Sequence, residues 1–155
     1  MKQRRIIALA IAVGILSGCS ERGGASETLT ALEVSEHIQQ TAKLSEMQQR
    51  DAKDLQKLYH IEAGDVEDFV LYTALSNVQA DELAVIKVKD TSETENVMNQ
   101  IRQRIKTQTV KFKDYRPVEY DLIEKNVLKS KGRFVFFAVS RDVDQMDRAF
   151  EEAVK

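Results

Sequence analysis

Phe134-Val135-Phe136-Phe137-Ala138-Val139 is apolar at all six positions. Successive residues of an extended chain point to opposite faces, so a run with no polar position has both faces covered and reads as an interior strand. Just before it, Val127-Leu128-Lys129 and the polar Ser130-Lys131-Gly132 complete a hairpin over residues 127–140, with Gly132 able to take the positive φ of the turn. A second pair of β-like runs, 69–75 and 83–89, flanks the polar stretch 76–82 and predicts a second hairpin. In its later strand Ala84, Ile86 and Val88 point one way and Val85, Lys87 and Lys89 the other, the pattern of a half-buried strand. No helix separates the members of either pair, so the strands are expected to be antiparallel; a βαβ series is disfavoured.

The flanking segments have helical spacing. Thr30 and Glu33 are placed as a capping box ahead of Leu32, Val34 and Ile38, predicting a helix over 31–43. Asp51 can cap a second helix with Leu55, Leu58 and Tyr59 on one face, ended by the polar stretch 60–65. Over 90–108, Val97, Ile101 and Ile105 recur every four residues beside Met98, opposite Asn99, Arg102, Gln103 and Lys106. Pro117 suits the first turn of a short helix over 117–125, with Glu119 near its positive end; a strand over 121–128 is the alternative. A last helix over 143–154 buries Val143, Met146, Phe150 and Val154. The order ααββααββα implies an α+β two-layer sandwich: a four-stranded antiparallel sheet of two hairpins with helices mainly on one face.

The chain start carries a different signal. Lys2, Arg4 and Arg5 precede the uncharged run Ile6 to Leu16, whose eleven residues give only about 17 Å of helix. A membrane span needs about 20 residues, so this is the hydrophobic region of an export signal. The next residues, Leu16-Ser17-Gly18-Cys19, resemble the lipobox of bacterial lipoproteins at all four positions. The resemblance implies cleavage between Gly18 and Cys19 and a diacylglycerol joined to the Cys19 thiol by a thioether, with no other cofactor expected. Residues 1–18 are then the removed signal peptide, 19–29 the lipidated cysteine and a flexible spacer containing Gly23-Gly24-Ala25-Ser26, and 30–155 one domain. The processed chain carries 20 basic and 25 acidic residues, a net −5, so lipid rather than charge would hold it to an anionic membrane. Cys19 is the only cysteine, which excludes an internal disulfide and a thiolate zinc cluster.

The run Asp81-Glu82-Leu83-Ala84-Val85-Ile86-Lys87-Val88-Lys89-Asp90, with Tyr115-Arg116-Pro117, Gly132-Arg133-Phe134-Val135 and Val139-Ser140, resembles a family of small uncharacterised lipoproteins. That family, mostly from low-GC Gram-positive bacteria, is catalogued only as a domain of unknown function. The resemblance spans roughly residues 55–154 and implies an extracytoplasmic, lipid-anchored protein without supplying an activity.

Chemistry-bearing residues are sparse. His37 and His60 have no metal-ligand neighbour at i+4 and read as solvated, so no metal site is expected. Asp65 with Glu67 and Asp68, Asp81 with Glu82, and Asp142 with Asp144 are acid clusters that loops and helix caps explain, Asp65 and Asp142 being suitable caps. Asp142-Val143-Asp144 lacks the glycine and distal glutamate of an EF-hand. There is no glycine-rich phosphate loop and no G-x-S-x-G elbow. Lys87, Lys89, Arg102, Arg104 and Lys106 could line an anion-binding strip, but a solvated strand face beside an amphipathic helix accounts for them. A net charge of −2 for the whole chain and no interleaved aromatics argue against nucleic acid.

No catalytic residue is assigned. The expected function is a non-enzymatic binding module tethered to the membrane, presenting a sheet face or edge strand to an envelope protein, cell-wall polymer or small ligand. The alternative is an extracytoplasmic hydrolase or transferase using carboxylates, with Asp65, Asp81 or Glu82 beside Tyr72 or Lys87.

Overall fold

The computed structural model describes residues 27–155. The signal peptide, the lipobox with Cys19, and the spacer up to residue 26 lie outside the described residues. The elements are α1 (Ala31–Gln39), β1 (Met47–Arg50), α2 (Ala52–Tyr59), β2 (Val66–Ala74), β3 (Glu82–Val88), α3 (Thr94–Phe112), α4 (Pro117–Glu124), β4 (Val127–Lys131), β5 (Phe134–Val139) and α5 (Val143–Ala153). Single 3-10 turns at Ala63–Asp65 and Thr91–Glu93 precede β2 and α3.

Both expected hairpins form, β2 with β3 and β4 with β5, and β3 pairs with β5 to join them in one antiparallel sheet. The sheet nevertheless has five strands, in the order β1-β2-β3-β5-β4, where four were expected. The added strand, Met47-Gln48-Gln49-Arg50, lacks the alternation that marks a strand in sequence; it exists through its pairing from Met47↔Ala74 to Arg50↔Leu71. The element order is therefore αβαββααββα.

The expected two-layer sandwich is also corrected, because helices cover both faces of the sheet. On one face Leu55 and Tyr59 of α2, Ile101 and Phe112 of α3 and Ile123 of α4 pack on Leu71, Ala84, Ile86, Val135 and Phe137. On the other, Val34 and Ile38 of α1 and Met146 and Phe150 of α5 cover Val70, Leu83, Val85, Phe134 and Phe136. Phe136 stacks on Phe150 at 4.7 Å between ring centres. Burying each such side chain contributes about 1.5–3 kcal/mol. Every residue of β3 is buried, so it is an interior strand and not the half-buried one its lysines suggested. The fully apolar reading of β5 holds.

Local capping follows the sequence closely. Thr30 and Glu33 form the capping box of α1, although that helix stops at Gln39 instead of reaching 43. The Asp51 side chain accepts from the N–H groups of Lys53 and Asp54, and His60 closes α2 in the left-handed region at φ 57°. Asp90 caps the 3-10 turn before α3, so that helix begins later than expected and continues to Phe112. Residues 117–124 are helical with Pro117 in the first turn, which decides against a strand beginning at 121. Asp142 stands at the N-cap position of α5 but its side chain makes no capping bond.

Gly132 turns the β4–β5 hairpin at φ +55°, and an added Cβ would meet nothing within 4 Å. Gly132→Ala therefore leaves packing untouched and loses only the backbone freedom, at a cost of about 1–2 kcal/mol. Urea unfolding should show a lower midpoint at unchanged slope; an unchanged midpoint would show that the turn relaxes.

The two ends of the sheet are fastened by different contacts. At the end of Val66, Val88 and Phe134, Arg133 pairs with Glu27 at 2.9 Å and with Glu67. There Lys87 pairs with Glu67 at 2.9 Å and donates to the Glu27 carbonyl at 2.8 Å. At the end of Ala74, Glu82 and Val139, the β2–β3 loop is fastened to the α3–α4 region. Lys111 donates to the Asn77 carbonyl at 2.7 Å, Arg116 to that of Val78 at 3.2 Å, and Ala80 N–H to Glu119 at 2.8 Å.

Candidate functional site

The loop end carries a cleft of about 370 Å³ between α2, the end of β2 and α3. Its walls include Arg50, Asp54 and Lys57; Thr73 and Asn77; Asp81 and Glu82; and Arg104, Gln108 and Lys111. Beneath the cleft lies a three-residue polar knot. Glu82 is 2% exposed and Tyr59 fully buried. Arg104 grips the Glu82 carboxylate with two bonds, Nε to Oε1 at 3.1 Å and Nη2 to Oε2 at 2.9 Å, while Tyr59 donates its hydroxyl proton to Oε1. Burial and then the Glu82 charge raise the Tyr59 hydroxyl pKa well above its ordinary value, so it remains a donor. Burial opposes the Arg104 charge, but the bonds to Glu82 outweigh it and the guanidinium stays protonated. The knot ties α2 and α3 to β3, and three of the roughly four acceptor sites of the Glu82 carboxylate are taken.

The remaining charges on the cleft wall are more open. Arg50 donates to the Thr73 hydroxyl at 2.7 Å and lies 3.9 Å from Asp54. Lys111 holds a carbonyl and no carboxylate, and Lys57 makes no ion pair or hydrogen bond among the described residues. Asp81 lies where this cleft adjoins a second of about 250 Å³, whose walls include Glu46, Glu119 and Asp142. Burial first, and the charge of Glu119 next, push the Asp81 carboxyl above the ordinary carboxylate range; Glu46 adds to this and the residue's own N–H opposes it.

That arrangement fixes the sign of a pH effect. The folded state binds the Asp81 proton more tightly than the unfolded chain, so the associated stability is present at low pH and is lost as pH rises through the folded pKa. Asp81→Asn should raise the thermal midpoint at pH 7 by a small amount and leave it unchanged near pH 3. A loss of stability at pH 7 would mean that the carboxylate is favourably held.

The residues singled out in sequence are scattered over the molecule. Asp81 and Glu82 share the cleft, but Glu82 is spent on Arg104 and Tyr59. Lys87 points to the opposite face, where its nitrogen lies against Glu67 and 5.6 Å from the Phe134 ring centre. Tyr72 also faces that side and accepts from Gln39 at 3.2 Å. Asp65 is at the other end of β2, beside His60 and Lys89 in a hollow of about 290 Å³. Asp68 accepts from Ala31 N–H at 2.7 Å and fixes the start of α1. His37 lies 3.8 Å from Glu152 of α5.

The cation strip set aside above does not form, and the solvated strand face preferred to it is corrected at Lys87, which is buried; Arg104 faces the other layer, and Arg102 is paired with Glu95. Arg50, Lys57, Gln108 and Lys111 went unmarked because they come from three separate elements, and only the α3 residues have a spacing that places them together. Among the described residues, no group of three or more His, Cys, Asp or Glu could hold a metal ion. No helix there is long and apolar enough to cross a membrane.

Residues 40–140, from the loop before β1 to the end of β5, match the DUF4358 family, described as a domain of unknown function. The chain belongs to that family. No curated protein and no solved structure matches it. The DUF4358 span contains the entire sheet, α2 to α4 and every residue lining the 370 Å³ cleft, while α1 and α5 fall outside it. The sheet, its first helical layer and the cleft thus form one contiguous unit of sequence.

Proposed function

We propose that this chain is a membrane-anchored extracytoplasmic lipoprotein whose domain is a non-enzymatic binding module, engaging an envelope ligand or partner with the loop end of its sheet. One observation carries the reading. Of the five large apolar side chains exposed among the described residues, Leu75 lines the cleft, and Val110, Tyr115 and Val118 lie on the α3–α4 region to which the β2–β3 loop is fastened. Exposed apolar side chains at the same end of the sheet as a polar hollow suit a recognition surface. Glu27, the first described residue, is fastened at the opposite end by Lys87 and Arg133. A tether running back from there to Cys19 would leave the loop end facing away from the membrane. The open sheet face expected from sequence is covered by helices and is not available for binding.

Crosslinking in cells of the natively expressed, C-terminally tagged chain, followed by purification from membranes and mass spectrometry, tests this reading. One dominant envelope species, lost in Cys19→Ala, is the expected result. Background capture from a chain that remains membrane-bound would contradict it.

A second reading, a hydrolase or transferase using carboxylates, draws support from Asp81, at the junction of two clefts, whose carboxyl burial and then the Glu119 charge push above the ordinary carboxylate range. It requires turnover that disappears in Asp81→Asn.

A further inference from the structure

Gln108 differs from the other polar groups of the cleft. It is 8% exposed, it lines the cleft between Arg104 and Lys111 on one face of α3, and its side-chain amide has no hydrogen-bond partner among the described residues. Most of the side chain is covered, but its amide still reaches the solvent of the cleft, so its bonding capacity is open to a ligand there. An amide side chain offers one acceptor and two donors, the complement of a peptide unit's N–H and C=O. The charges around it are unpaired in two places. Lys57 and Lys111 make no ion pair among the described residues, and Asp81 makes none either, Arg141 acting on it only at longer range. A ligand that satisfies all of these groups has a carboxylate at one end, an ammonium at the other and amides between them. At about 370 Å³ the cleft is at the lower end of the range for small-molecule sites, which suits a few residues of peptide and excludes a folded partner.

We propose that this cleft is a binding site for a short zwitterionic peptide. The ligand carboxylate meets Lys57 and Lys111, its ammonium meets Asp81, and its amides pair with Gln108. The proposal rests on the reading of the domain as a binding module and specifies what the module's hollow accepts. Glu82 and Arg104 take no part, since each neutralises the other. The exposed apolar side chains outside the cleft are not needed for the peptide and remain available to a larger partner.

Isothermal titration of the full-length chain, purified from membranes in detergent, tests this with alanine, dialanine, trialanine and tetraalanine as probes. N-acetyl-trialanine and trialanine amide serve as end-blocked controls. The expected result is saturable one-to-one binding at a preferred length, weakened about tenfold or more by blocking either end. Gln108→Leu and Lys111→Met should each weaken binding to a similar extent while keeping the thermal midpoint within a few degrees. Absence of saturable heat for every probe, equal affinity of blocked and free peptides, or undiminished binding by folded Gln108→Leu would each overturn the proposal. Partner capture in cells without peptide binding would remove this inference and leave the binding-module reading standing.

Discussion

Arg104→Ala is expected to lower the free energy of unfolding by about 3–5 kcal/mol, the usual cost of removing one member of a buried ion pair. Glu82 is 2% exposed, so losing its two bonds to Arg104 strands a carboxylate that water cannot reach well. The Tyr59 hydroxyl alone cannot neutralise it. Both helices that the knot attaches to β3 loosen, and the cleft they wall is lost with them. Urea unfolding followed by circular dichroism should show a much lower midpoint at unchanged slope. Removing the whole knot, by Tyr59→Phe, Glu82→Leu and Arg104→Met together, should recover most of the loss, because a well-packed apolar substitute is often as stable as the buried pair it replaces. A near-neutral Arg104→Ala would show that water enters the knot and solvates Glu82.

Cys19→Ala is expected to abolish labelling by a radioactive fatty acid and, in molecules from which residues 1–18 are removed, to release the chain from the membrane fraction almost entirely. Each buried methylene contributes about 0.8 kcal/mol, so two acyl chains anchor where a single one binds only marginally. Nothing else in the described chain replaces them: no helix there is long and apolar enough to span a bilayer, and the processed chain would carry a net −5. Unlabelled wild-type protein, or a variant that is cleaved of residues 1–18 and still stays on the membrane, would contradict lipidation at this residue.

The fold was legible where a residue's own pattern decided its state. The apolar run 134–139, the capping box at Thr30 and Glu33, the Asp51 cap and Pro117 each carry their physics locally, and each element forms. Reading failed where a distant segment decides. Met47-Gln48-Gln49-Arg50 is a strand only because β2 offers it an open edge. Lys87 looked solvent-facing because the sequence around it does not show that Glu67 and Glu27 wait to receive it under α1. The second helical layer followed the same logic, since α1 and α5, at opposite ends of the chain, meet only in three dimensions.

The candidate site was legible least of all. Its carboxylates Asp81 and Glu82 were visible as an adjacent pair, yet adjacency concealed opposite roles: one sits among acids at the junction of two clefts, the other is consumed by an arginine 22 residues away. The groups that give the cleft its character, Lys57, Gln108 and Lys111, have no spacing in common. Gln108 in particular is an ordinary helix residue until its unpaired amide is seen to line the cleft.

The most direct test of a recognition surface at the loop end compares two positions in the same tethered chain. A photo-crosslinking residue is placed at the exposed Tyr115, near the cleft, or at the exposed Asp65, at the far end of β2. The expected result is a discrete crosslinked species from position 115, absent from position 65 and reduced by Cys19→Ala. Equal crosslinking at both positions, crosslinking only at 65, or none at either would contradict a binding module that works from its loop end.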